Sequence, residues 1–392
     1  MAGKGMATRI RRRGSTLAAL AVACCAAVAL AAPAAAGPVT AGALRTGVTP
    51  PTAYVVSGSA GTVTPIDTAT NTAGTPITVP PDPIGIAITP NGATAYVNSP
   101  EENVVTAIDT ASNTVVATIH VGLSPFGMAI TPDGATLYVA NYGNTYAGGG
   151  SVQPIHTATN TAGRPIKLSF KPGPLAITPD GETLYVGSGS SDVVTPIHTA
   201  TNRPRTPISV GQFPSSIAIT PNGKFAYVTS SDEDNVIPIY TAINKAAAPI
   251  PVSFYPSGIT ITPNGATAYV LSSNSNTVTP VNIIRRKAGN PIKMGAYPDD
   301  PSGLAITPDG STLYVLNQYG GTVTPIDTAT NKPGTPITVG TWPRSIAITP
   351  DGTTAYVANQ QSNTVTPIDT ATNTAGTPIP VPSGPWAIAM TP

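Results

Sequence analysis

Three histidines, 18 carboxylates and many hydroxyls are the side chains with which this sequence could begin chemistry. His156 and His198 suggest a metal pair until their register is compared. Both stand where other stretches place Asp67, Asp109, Asp327 and Asp369, with Tyr240 and Asn282 at two more equivalent points. Equivalent points of neighbouring repeats lie far beyond the ~2.0–2.1 Å of a zinc–nitrogen bond. A polar residue closing a turn is the expected role. His120 has no evident partner. No Gly-x-Ser-x-Gly elbow, His-Glu-x-x-His pair or phosphate-cradling glycine loop occurs. No catalytic residue is assigned, and no cofactor is expected.

The carboxylates are unevenly spread. Eight recur at fixed repeat positions: Asp67, Asp109, Asp133, Asp180, Asp309, Asp327, Asp351 and Asp369. Nine of the other ten fall in one class of loop: Asp82, Glu101, Glu102, Asp192, Asp232, Glu233, Asp234, Asp299 and Asp300. Two length irregularities add Tyr142 and Tyr146 within residues 141–151, and Tyr297 beside Asp299. Phe126, Phe213, Tyr255, Trp342 and Trp386 flank prolines in the same class of loop. Insertions in repeat proteins gather on the binding face. The candidates are therefore Glu101, Glu102, Tyr142, Tyr146, Asp192, Asp232, Glu233, Asp234, Tyr297, Asp299, Asp300 and Trp342, with Asp232 and Asp234 a weak Ca²⁺ pair. Arg164, Arg203, Arg205, Lys224, Lys245, Arg285, Arg286, Lys287 and Lys332 are expected in turns on the opposite face.

What positions these residues is a repeat. Tyr-Val begins at 54, 96, 138, 185, 227, 269, 314 and 356. Thr-Pro-Asp/Asn-Gly places its glycine at 92, 134, 181, 223, 265, 310 and 352. Each unit of about 42 residues holds four short β-branched or aromatic runs between Gly, Asn and Pro turns, and no helical period. Such a unit cannot bury both faces alone, and radial closure leaves only short edges. The expected fold is all-β, a β-propeller of eight four-stranded blades, with seven as the alternative count. The pattern starts at a second strand, Ala53-Tyr54-Val55, and ends on a lone first strand, Ala387-Ile388-Ala389-Met390, so the last strand should complete the first blade. Proline recurs in the third strand and again eleven residues later in the fourth; only the unit with Ala107 and Thr118 lacks both. Proline donates no ladder bond, so the outer edge should pair poorly and resist sheet-to-sheet association.

Tyr138-Val139-Ala140-Asn141 and Tyr356-Val357-Ala358-Asn359 are preceded by Ile-Thr-Pro-Asp-Gly, and Ile368-Asp369-Thr370-Ala371-Thr372-Asn373 follows the second. These segments resemble the YVTN β-propeller repeat across residues 52–392. The resemblance implies antiparallel four-stranded blades with the Ile-Ala-Ile strand innermost. YVTN-like propellers also resemble bacterial lactonases, although no catalytic Glu/Arg/His set of that kind is matched here.

Residues 1–36 read as a signal peptide: Lys4, Arg9, Arg11, Arg12 and Arg13, an apolar run from Leu17 to Ala32, then Ala34-Ala35-Ala36. Residues 37–51 read as a flexible leader and 52–392 as one domain. Cleavage would remove Cys24 and Cys25 and leave 14 Lys+Arg against 18 Asp+Glu. No nucleic-acid partner is expected from that balance. The mature chain has no transmembrane run and is expected to be a monomer. The sequence thus suggests an extracellular or cell-surface binding or scaffold protein, whose acidic loops engage an unknown protein, glycan or small molecule. The alternative is a lactonase-type hydrolase at the channel mouth.

Overall fold

A computed structural model describes residues 50–144, 149–295 and 300–392. The expected signal peptide, nearly all of the leader, and Tyr146, Tyr297 and Asp299 lie outside the described residues. Period-two alternation and β-branched runs fold into eight antiparallel sheets. In each, the Ile-Ala-Ile run or its equivalent is innermost and touches the inner strands of both neighbouring blades, closing a circle. The count is eight, and the seven-blade alternative does not hold.

The ring closes between the chain ends. Pro385–Met390 pairs antiparallel with Thr52–Ser57, with Ala389 opposite Tyr54 and Ile388 opposite Val55. Blade 1 thus takes its inner strand from the C-terminus, and blades 2 to 8 follow in chain order. Thr391 repeats the bonding of every other Thr-Pro turn. The Thr52 N–H donates to its Oγ1 at 2.8 Å, as the Thr136 N–H donates to Thr131 Oγ1 at 3.0 Å. A Cβ at Gly92 would stand 3.0 Å from Pro392 Cδ, just as one at Gly134 would stand 3.2 Å from Pro90 Cδ. These turn glycines lie at φ 68–76°, a left-handed region that glycine enters without steric cost.

The core lies between blades. Tyr54, Val56 and Val63 of blade 1 pack with Ala95, Val97 and Ile108 of blade 2, over Ala387. All eight Tyr-Val tyrosines are fully buried. Seven of their hydroxyls donate to the Oδ1 of an asparagine in the next blade at 2.5–2.8 Å, among them Tyr54 to Asn113 and Tyr96 to Asn160. Tyr356 to Asn71 carries this latch across the closure. Each accepting asparagine sits at φ 49–56°, where its short polar chain is tolerated. The eighth, Tyr227, donates to the Ile283 carbonyl at 3.3 Å, because Arg286 stands where asparagine would be.

The proline pairs coincide with broken outer strands, as the sequence suggests. Seven blades have an outer strand broken into two two-residue pieces, such as Thr72–Ala73 and Ile77–Thr78. Blade 2, with Ala107 and Thr118, keeps one continuous strand, Thr114–His120. Both forms carry the same one-residue bulge. Ile66 faces Ala73 and Val63 faces Ile77, while Ile108 faces Val115 and Val105 faces Ile119. Blade 2 therefore presents an uninterrupted edge with Val115 and Val116 exposed, the kind of edge that templates pairing between chains. Introducing Ala107→Pro with Thr118→Pro should suppress heat-induced light scattering and shift Tm little. Undiminished scattering at equal concentration would remove the edge as its cause.

Candidate functional site

The loops joining second to third strands and those joining blades share one face of the ring, and backbone bonds tie them together. In blade 1 the Gly58 N–H donates to the Gly384 carbonyl. The equivalent bonds join Tyr142 to Ser124, Gly189 to Lys171, Ser231 to Phe213, Gln318 to Asp300 and Gln360 to Trp342, at 2.7–3.2 Å. With Asp82 and Tyr255 these acceptors define eight equivalent positions, each just before the proline that precedes an inner strand. Seven of them lie at positive φ: Asp82, Ser124, Phe213, Tyr255, Asp300, Trp342 and Gly384. Bulky residues rarely hold that conformation, and strain of this kind clusters at ligand sites.

The acidic candidates among the described residues fall on this face but do not converge on one point. Glu101 and Glu102 are exposed between the second and third strands of blade 2. Asp192 is exposed and accepts from Ser209 Oγ at 3.1 Å. Asp232 is exposed. Asp234 lies at φ 55° and accepts the Tyr255 N–H at 2.9 Å, the service Asn103 gives Ser124 and Asn363 gives Gly384. Its carboxylate is thus a loop clasp. Glu233 likewise receives the Gln212 N–H at 3.3 Å. Among the described residues, no three His, Cys, Asp or Glu groups come together as a metal site would need.

Two concavities do form. One of about 690 Å³ lies between blades 4 and 5 and is lined by Asp192, Glu233, Ser209, Gln212 and Phe213, among others. A shallower one of about 280 Å³ is bounded by Trp342, Gln360, Gln361, Asn363, Ser59 and Gly384. Trp342 meets the exposed ring of Tyr319 edge-on at 5.9 Å.

Near the channel mouth, the Arg344 guanidinium stacks 3.9 Å above the Trp386 ring. Half-burial raises the Asp300 carboxyl above its usual range, and the positive field of Arg344 opposes that rise. Between blades 3 and 4, Lys171 Nζ stands 5.0 Å over the Tyr142 ring, and burial pushes the Tyr142 phenol up. These groups can recognise a charged or planar ligand by ion pairing and stacking.

Sequence reasoning missed Tyr319 and Ser124 as members of this face. The residue before each strand-leading proline was the signal that would have found Ser124. The basic residues need a correction. Arg203, Lys245, Lys287 and Lys332 lie on the first piece of the outer strand, Arg164 and Arg205 just beyond it, and only Lys224, Arg285 and Arg286 in turns. The turns are short, so the chain has already entered its next strand at those positions. His198 closes its turn through Thr201, with Nδ1 and Oγ1 3.1 Å apart, in keeping with the expected role.

The family model described as lactonase, 7-bladed β-propeller matches residues 259–376, less than a third of the sequence. No curated protein matches the chain. Among solved structures, hydrazine synthase of Kuenenia stuttgartiensis is 24% identical over 74% of this chain and 96% of its own, with a TM-score of 0.60. The dihydro-heme d1 dehydrogenase NirN, solved in complex with DHE, is 15% identical over 86% and 74%, with a TM-score of 0.74. Apo AztD from Citrobacter koseri is 12% identical over 88% and 99%, with a TM-score of 0.67. At these identities the shared property is the fold, and the chain is a β-propeller.

Proposed function

We propose that the protein is an exported, YVTN-like binding propeller whose ligand is held on the face that carries the blade-to-blade loops. The signal-like segment 1–36 supports export. One observation carries the binding reading. At eight structurally equivalent loop positions the residues are Asp82, Ser124, Lys171, Phe213, Tyr255, Asp300, Trp342 and Gly384. The fold keeps its tyrosines, prolines and turn glycines nearly invariant from blade to blade, yet leaves this ring unrepeated. A scaffold alone would have no use for that difference, whereas recognition of an asymmetric ligand needs it.

The test is a screen of residues 37–392 against lysine-rich peptides and oligosaccharides, read by calorimetry. Asp192→Lys with Glu233→Lys should weaken a cationic ligand at least ~10-fold, because two attractions become two repulsions. Trp342→Ala should weaken a saccharide. Binding untouched by both, and by Asp300→Asn, would overturn the reading.

The lactonase-type alternative draws on the family match over residues 259–376, a stretch that contains Asp300 and Arg344. Acid release from simple lactones, abolished by Asp300→Asn, would favour it.

A further inference from the structure

The opposite face departs furthest from the repeat at the undersides of blades 5 and 6. Every other blade brings an aspartate to that face at the Pro-Asp-Gly turn, at the end of the third strand, or at both, although blades 3 and 4 also carry Arg164, Arg203 and Arg205 there. Blades 5 and 6 have lost both aspartates. Asn222 and Tyr240 stand there in one, Asn264 and Asn282 in the other. All acidic residues between 206 and 298 belong to the top-face loop Asp232-Glu233-Asp234. In their place the two undersides carry Lys224, Lys245, Arg285, Arg286 and Lys287, all exposed.

The same two turns also carry the most exposed large apolar side chains among the described residues, Ile284 at 83% and Ile243 at 67%. The six other blades have Thr-Ala-Thr-Asn or, in blade 2, Thr-Ala-Ser-Asn at these turns. The patch is continuous. Arg286 of blade 6 hydrogen-bonds the Tyr240 hydroxyl of blade 5 and lies over its ring, and Tyr240 packs on Phe225 at 5.0 Å. Placing Arg286 there costs the chain one tyrosine–asparagine latch and sets a long side chain in a left-handed conformation. The flanking undersides regain acidic residues, Asp180 and Glu182 beside Arg203 and Arg205 in blade 4, and Asp309 and Asp327 beside Lys332 in blade 7.

We propose that this underside docks the protein on an anionic lipid surface, with Ile243 and Ile284 entering the interface and the five cations held at the headgroups. Charge complementarity selects an anionic partner. The paired isoleucine tips select a bilayer over a soluble polyanion, since a bare isoleucine gains free energy only by leaving water. The ligand face would then point away from the membrane. The inference stands apart from the ligand proposed above.

The probe is sedimentation of residues 37–392 with vesicles of phosphatidylcholine alone or mixed with phosphatidylglycerol. That fragment contains the whole closed ring and omits the apolar run Leu17 to Ala32. Binding is expected only to the anionic vesicles, and to be lost in high salt. Arg285→Gln with Lys287→Gln should weaken it about 30-fold, from ~1 kcal/mol per charge near the surface. Ile243→Ser with Ile284→Ser should weaken it several-fold at unchanged Tm, and Trp342→Ala should leave it unchanged. Absence of binding to anionic vesicles would overturn the proposal. So would binding indifferent to the isoleucine variant and equally competed by soluble polyglutamate, which would assign the patch to an acidic polymer.

Discussion

Removing residues 385–392 is expected to abolish the native fold. The segment is eight of 392 residues, yet it supplies the entire inner strand of blade 1. Its loss strips Ala387 and Ile388 from two interblade clusters and uncovers Tyr54, Val55 and Val56. The half-buried Trp386 loses its stack with Arg344. At ~1.5–3 kcal/mol per large apolar side chain and ~1 kcal/mol per ladder bond, the loss is about 8–10 kcal/mol. Domains are stable by only ~5–15 kcal/mol, so this change consumes most or all of the margin. The truncated protein should show no cooperative thermal transition and should bind hydrophobic dyes, while trimming 37–49 should change neither. A truncated chain that melts cooperatively near the intact Tm would mean that blade 1 closes some other way.

That dependence was legible in the sequence, because the repeat begins at a second strand and ends on a first. The proline pairs were legible too, since Ala107 and Thr118 depart together and the one unbroken outer strand is theirs. What could not be read was which contacts cross between blades. Tyr54 and Asn113 are 59 residues apart, and a strict period makes an intrablade and an interblade partner look alike. The left-handed ring was hidden for the opposite reason. Its members share a backbone conformation and no side-chain type, so Asp82, Phe213 and Gly384 do not align as a motif. The acidic loops drew attention by composition. The structure divides them into clasps, such as Asp234, and exposed groups, such as Asp192, that face a groove.

The latch tyrosines imply a second large effect, an alkaline collapse of the whole ring. Burial pushes the phenols of Tyr54, Tyr96, Tyr138, Tyr185, Tyr227, Tyr269, Tyr314 and Tyr356 up from 10 to about 12. A phenol is neutral when protonated, so the folded state keeps its proton where the unfolded state has released it. Stability from this source is complete below pH 10 and drains away as pH rises through 10 towards 12. A two-unit rise corresponds to at most ~2.7 kcal/mol per group. Halved for solvent screening through the surface turns that accept these hydroxyls, eight groups still reach ~10 kcal/mol, comparable to the whole stability of a domain. Ionisation also removes the proton that each hydroxyl donates across the blade interface, so the latches fail together. Tyrosinate absorbance and the β-sheet circular dichroism signal should therefore change in one cooperative step near pH 11. Titration of these tyrosines near pH 10 with the sheet signal intact would show that the hydroxyls are wetted and the latches do not bind the blades.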